Sequence, residues 1–195
     1  ILICDHNKLT SLDLSNNTAL TELDCGKNQL TSLDVSNNTA LTELFCWRNQ
    51  LTSLDVSNNT ALTELVCWGN QLTLLDVSNC SALTYLDCDV NQLTSLDVSN
   101  TKVQSTSAYQ NKYEIHLTNK TFDLSTLPTG FDVSKASNWT NGTVDGNILT
   151  VEDITKEVTY KYDCGNRNSE KFTLIPQIEE TPAETTTTTD RKSVV

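Results

Sequence analysis

Leucines recur along the first half of the chain at a fixed spacing, and the polar residues between them recur with it. Aligned with itself, the sequence repeats every 21 residues. The clearest copy runs from Leu41 to Ala61, with apolar residues at Leu41, Leu44, Cys46, Leu51, Leu54 and Val56, and near-identical copies start at Leu20, Leu62 and Leu83. The chain opens inside an earlier copy, where Leu2, Cys4, Asn7 and Leu9 hold the expected places. An eroded copy starts at Val103, with Thr106 and Ala108 replacing the Leu and Cys and Asn111 kept. The apolar positions of one copy have nothing to bury against until copies stack, and stacking is worth roughly 1.5–3 kcal/mol for each large aliphatic side chain. Alternation around Leu44 and Cys46 predicts one short strand per copy, joined into a parallel sheet on a concave face, and a return with little regular helix.

After the eroded copy the texture changes to alternation of period two. Tyr113 to Leu117, Ile148 to Val151, Val158 to Tyr162 and Phe172 to Ile175 read as strands, with turns at Asn141-Gly142, Asp145-Gly146 and Gly165 to Ser169. These predict a small all-β, immunoglobulin-like sandwich over residues 112–176, closing a solenoid of residues 1–111. Residues 177–195, rich in Thr and Glu, read as a disordered linker. Its last six residues, 190–195, match a translated sequencing adapter and are expected to be non-native. Ile1, Leu2 and Ile3 would form an uncapped apolar edge, so further repeats are expected upstream, and the missing Met marks an internal portion of a longer product without its signal peptide.

The pattern L-x-x-L-x-C-x-x-N-x-L is the leucine-rich repeat signature, which makes the expected fold an α/β-type leucine-rich repeat solenoid followed by the sandwich. With a 21-residue period, Cys in the sixth position and the return segment L-x-x-L-D-V-S-N-N, the first 111 residues resemble the internalin-like leucine-rich repeats of bacterial surface proteins, in their cysteine-containing, internalin J-like subgroup. The resemblance implies repeats joined to immunoglobulin-like domains, a secreted or cell-surface location and adhesion to a ligand, with host molecules among the candidates. It implies nothing about which ligand, because the matching residues are framework.

Three columns of repeated polar or reactive residues invite chemistry. Cys4, Cys25, Cys46, Cys67 and Cys88 read as small buried packing residues: neighbouring strands about 4.8 Å apart hold parallel side chains too far apart for disulfides, and a single-residue line does not converge on zinc. Cys80 and Cys164 fall outside that column and are left as buried, reactive or mutually paired. Asn7, Asn28, Asn49, Asn70, Asn91 and Asn111 sit where the chain turns out of each strand and read as caps of turn backbone. Asp13, Asp34, Asp55, Asp76 and Asp97 form an acidic row read as solvated, since the glycine and clustered oxygens of calcium loops are missing. The Asn-x-Thr/Ser triplets at Asn16, Asn37, Asn58, Asn79, Asn119, Asn138 and Asn141 read as by-products of Asn/Thr-rich turns.

Charge narrows the partners. Lys plus Arg is 13 against 25 Asp plus Glu, for a net charge of −12, which disfavours nucleic acid and anionic lipid, and no stretch approaches the roughly 18 apolar residues of a membrane span. The histidines, His6 and His116, lie in different domains, and no hydrolase, metalloprotease or phosphate-loop motif occurs, so neither catalysis, a cofactor nor a metal is expected. What remains is the solvent side of the strands. Counted from each first Leu, the third, fifth, seventh and eighth residues face it, and in the central copies these become Phe45, Trp47, Val66 and Trp68, flanked by Arg48, Glu43 and Glu64, with Tyr85 and Tyr109 nearby. A protein or glycan ligand is expected there, in a non-catalytic, adhesion-type module. The readings from other classes are a structural spacer or scaffold component, and the non-catalytic part of an extracellular multimodular enzyme.

Overall fold

The computed structural model describes residues 1–128 and 130–178; the segment 179–195, with the adapter-like hexapeptide, lies outside them. Six short strands, β1 (Leu2–Ile3), β2 (Glu22–Asp24), β3 (Glu43–Phe45), β4 (Glu64–Val66), β5 (Tyr85–Asp87) and β6 (Thr106–Ser107), form one parallel sheet in sequence order. Register follows the repeat: Leu2 pairs with Leu23, Leu23 with Leu44, Leu44 with Leu65 and Leu65 with Leu86. Identical residues on successive strands therefore lie side by side. The inward leucines and the cysteines from Cys25 to Cys88 are buried, whereas Cys4, on the first strand, is half-buried.

The turn column of asparagines ties the stack together. Asn49 Nδ2 donates to the carbonyls of Cys25, Cys46 and Trp47, while its Oδ1 accepts the Leu30 N–H at 3.0 Å. Asn28, Asn70, Asn91 and Asn111 repeat this across their own turns. On the return side each Asp of the acidic row accepts the N–H two residues on, as Asp55 does from Ser57 at 2.9 Å, which holds the chain in an Asx turn. A second ladder follows it. Asn38 donates to Leu14 and Asn17 carbonyls, Asn59 to Val35 and Asn38, and Cys80 points its thiol at Val56 and Asn59. Cys80 thus stands at an asparagine position of this second ladder. Both Cys80 and Cys164 are buried and free, so neither is paired with the other.

The second half contains β7 (Asn111–Leu117), β8 (Thr121–Asp123), β9 (Ala136–Thr140), β10 (Gly142–Asp145), β11 (Ile148–Val151), β12 (Val158–Gly165) and β13 (Asn168–Ile178), with single 3-10 turns at Leu124–Thr126 and Val133–Lys135. They make a three-stranded sheet, β10-β11-β8, and a four-stranded sheet, β7-β13-β12-β9, in which β7 and β13 are parallel. The four strands legible in the sequence are present. The others are not legible for a physical reason: β8, β9 and β10 are short and largely polar, with half-buried Phe122, Ala136, Trp139 and Val144 and the backbone of Gly142 turned inward. The strand β13 also runs two residues into the segment read as linker, because Gln177 and Ile178 pair with His116 and Leu117.

The two halves share one apolar core, and the β12–β13 hairpin docks where another repeat would stack. Asn166, in that hairpin, donates to the carbonyls of Val98 and Thr101, the same pair of positions that Asn59 serves one ladder step at a time. Val98 N–H is accepted by the Cys164 carbonyl at 2.8 Å, Asn168 accepts Thr106 N–H at 3.2 Å, and the Tyr160 hydroxyl reaches the Thr94 carbonyl at 2.5 Å. At Gly165, φ is +82° and a Cβ would lie 2.9 Å from Ser99, so a side chain there would push the hairpin off the last repeat.

Candidate binding face on the parallel sheet

Each copy presents its fifth, seventh and eighth residues through the same local geometry. The seventh still bonds along the sheet direction, as Arg48 N–H to Trp68 carbonyl at 2.8 Å shows for the adjoining residue. The eighth then turns the chain with positive φ: His6 at 55°, Lys27 at 49°, Arg48 at 47°, Gly69 at 69°, Val90 at 52° and Gln110 at 57°. That left-handed column, which a β-branched Val90 occupies only because the stack imposes it, went unread in the sequence since only one of six residues is Gly.

Trp47 and Trp68 stand in the seventh row of adjacent copies, half-buried, with ring centroids 5.6 Å apart and planes 8° from parallel. Trp47 lies over Gly26, where an added Cβ would fall 2.2 Å from its Nε1, and the His6 ring meets it edge-on at 5.3 Å. The Arg48 guanidinium sits over Trp68 at 4.7 Å from the ring centroid. Phe45 and Val66 pair across β3 and β4 and are half-buried beside the indoles, and Glu43 pairs with Glu64. Burial and then the neighbouring Glu43 push the Glu64 carboxyl up.

Tyr85 and Tyr109 lie beyond the indole pair along the stack. Tyr85 pairs with Glu64 and Tyr109 shares the seventh row, but Asp89 stands between Tyr109 and Trp68, and neither tyrosine touches either indole among the described ring contacts. Both are exposed, at 48% and 62%. The sequence reading missed this acidic end. Asp87 is pushed up chiefly by burial; it accepts Asp89 N–H at 3.2 Å. Asp89 accepts the Ser107 hydroxyl at 2.9 Å and the Tyr109 N–H. Glu170, brought in from β13, accepts the Thr106 hydroxyl and is pushed up by burial and by Asp89. Asp87 and Asp89 were findable as departures from Val66 and Trp68 in the aligned copies. Glu170 was not, because only docking of the second half brings it there.

The buried cysteines offer no reactive group. Burial holds Cys46, Cys67 and Cys88 well above the ordinary thiol range and takes Cys25 and Cys164 to about 12, so these thiols stay protonated. Among the described residues, no group of three or more His, Cys, Asp or Glu is arranged to hold a metal ion. A pocket of about 320 Å³ on the return side, lined by Leu74, Ser95, Leu96, Asp97 and Gly130 among others, includes none of the open-face aromatic residues. No described helix is long and apolar enough to cross a membrane.

Comparison with known proteins gives a repeat protein. The LVIVD repeat family matches residues 25–48 and 65–87, less than half of the chain. No curated protein matches significantly. Among solved structures 26 chains match, one being the functional domain of InlJ from Listeria monocytogenes, described as including a cysteine ladder, with 22% identity and a TM-score of 0.43. That match covers 91% of this chain and 61% of the other, so the chain spans under two thirds of its length.

Proposed function

We propose that this chain is a non-catalytic recognition module of a secreted or cell-surface bacterial protein, with residues 1–111 a leucine-rich repeat solenoid of the internalin-like, cysteine-containing kind and an immunoglobulin-like sandwich as its cap. The ligand is a protein or a glycan, held on the concave face; nucleic acid and membrane are not partners. One observation carries this reading: two parallel tryptophans 5.6 Å apart, neither in the interior, with a guanidinium over the second. A packed core has no use for indoles on its solvent side, whereas large rigid rings that release water at small entropic cost are what a binding centre uses.

The test is an array of immobilised glycans and purified extracellular proteins probed with the wild-type chain and with a Trp47→Ala, Trp68→Ala double variant. Ligands retained by the first and lost by the second, at equal thermal midpoints, support the reading. Equal retention by both places the site elsewhere. Unfolding of the double variant makes the rings structural, shielding the sheet backbone.

A further inference from the structure

The open face has a polarity along the stack, and it points to the kind of ligand. Its first part is the Trp47–Trp68 pair with Arg48 above. The next strand carries Asp89 where its neighbour has Trp68 and Asp87 where its neighbour has Val66, and the strand after it returns to an aromatic ring, Tyr109. Trp68 and Tyr109 are therefore two strands apart, about 9.6 Å at the ordinary strand spacing. That backbone spacing leaves room for one planar or slender group between the two side chains, with Asp87 and Asp89 on the intervening strand. Glu64, Asp87 and Asp89 form no ion pair among the described residues. Glu64 and Asp87 are partly desolvated with no cation to answer them, and burial raises both.

We propose that this end of the face takes a Lys or Arg side chain of an extended basic polypeptide, its cation between Trp68 and Tyr109 above Asp87 and Asp89, with Tyr85 and Glu64 at the side. The inference rests on the binding reading above and narrows it to a cationic protein segment. Charge complementarity favours it over a neutral glycan: sugar rings stack on indoles and their hydroxyls donate to carboxylates but bring no positive charge to Glu64, Asp87 and Asp89, whereas an ammonium or guanidinium meets ring faces and carboxylate charge together. Arg48 over Trp68 is the same contact made within the chain.

The experiment titrates the full chain with hexalysine, hexaarginine and, as the neutral glycan probe, chitohexaose, read by tryptophan emission and calorimetry. The expected result is saturable binding of an oligocation that weakens at least tenfold in an Asp87→Asn, Asp89→Asn variant, and by a similar factor in Tyr109→Ser. Asparagine keeps an oxygen to accept the Tyr109 N–H, and Tyr109 is exposed, so the two variants test the site independently of folding. An Asp34→Asn, Asp55→Asn variant on the return side, with the same loss of charge, should bind as wild type. The proposal is overturned if no oligocation binds, if the return-side variant weakens binding equally, or if only chitohexaose binds. In the last case, loss of chitohexaose binding in the double tryptophan variant would leave the broader binding reading standing while this one fails.

Discussion

At the residue scale the cysteine column shows how a reactive side chain is made inert. Cys67 is fully buried, its neighbours on both sides are cysteines, and burial keeps its proton on. A serine there places a hydroxyl in an apolar row with no partner at hand, and Cys67→Ser should cost about 1–3 kcal/mol, Cys67→Ala less, in urea unfolding. Equal midpoints for Ser and wild type would mean that the column is hydrated. The same site shows what was legible from sequence: the period alone identified a buried thiol line. Cys80 was equally legible, since it follows Asn59 and Asn38 at the 21-residue spacing, but what that column does, pointing at carbonyls such as those of Val56 and Asn59, shows only in the stack.

At the scale of one repeat, identity at a single position decides what the neighbouring copy can do. Gly26 is the vacancy into which Trp47 leans, and a methyl group there would overlap the indole at 2.2–2.7 Å. Because Gly26 lacks the positive φ of its neighbour Lys27, Ala is tolerated by the backbone and the conflict falls on the ring. Gly26→Ala should leave the unfolding free energy within about 1 kcal/mol of wild type while shifting tryptophan emission to the red and weakening the coupled Trp47–Trp68 signal in circular dichroism. An unchanged spectrum would show that the rings do not rest on the preceding copy in solution.

At the scale of the molecule, the second half completes the first by imitating it. Asn166 supplies the two hydrogen bonds to Val98 and Thr101 that a following repeat's asparagine would supply, from a hairpin position with φ of 51° that suits asparagine. Asn166→Gly keeps that backbone conformation and removes the donors, leaving two carbonyls poorly satisfied. It should cost about 1–3 kcal/mol and separate one unfolding transition into two in calorimetry. Lys135 and Asp97 add a 2.9 Å ion pair across the same junction. Burial opposes the charge on Asp97, but the Ser99 donors and the Lys135 ammonium outweigh it and hold the carboxyl at about 2 against an ordinary 3.8. A carboxyl lowered in the folded state stabilises above its unfolded value, so this contribution is complete above about pH 4 and fades as pH falls through about 2. The gap in thermal midpoint between wild type and Asp97→Asn should close over that interval; a gap that persisted below pH 2 would assign it to geometry and not to charge.

By itself the sequence determined the period, the inward leucines and cysteines, the capping role of Asn49 and its equivalents, and the strand positions that put Trp47 and Trp68 on the solvent side. These follow from local rules: a residue repeated every 21 positions meets its own copies, and alternation along a strand assigns its two faces. Tertiary structure decided the rest. The left-handed column from His6 to Gln110, the arrival of Glu170 and the mimicry by Asn166 all depend on contacts between segments distant in the chain or on conformation shared by the whole stack. The contacts of Glu170 and Asn166 leave no periodic trace in sequence, because each is made once, by partners that only packing brings together, and the left-handed column recurs but in six different side chains, of which one is Gly.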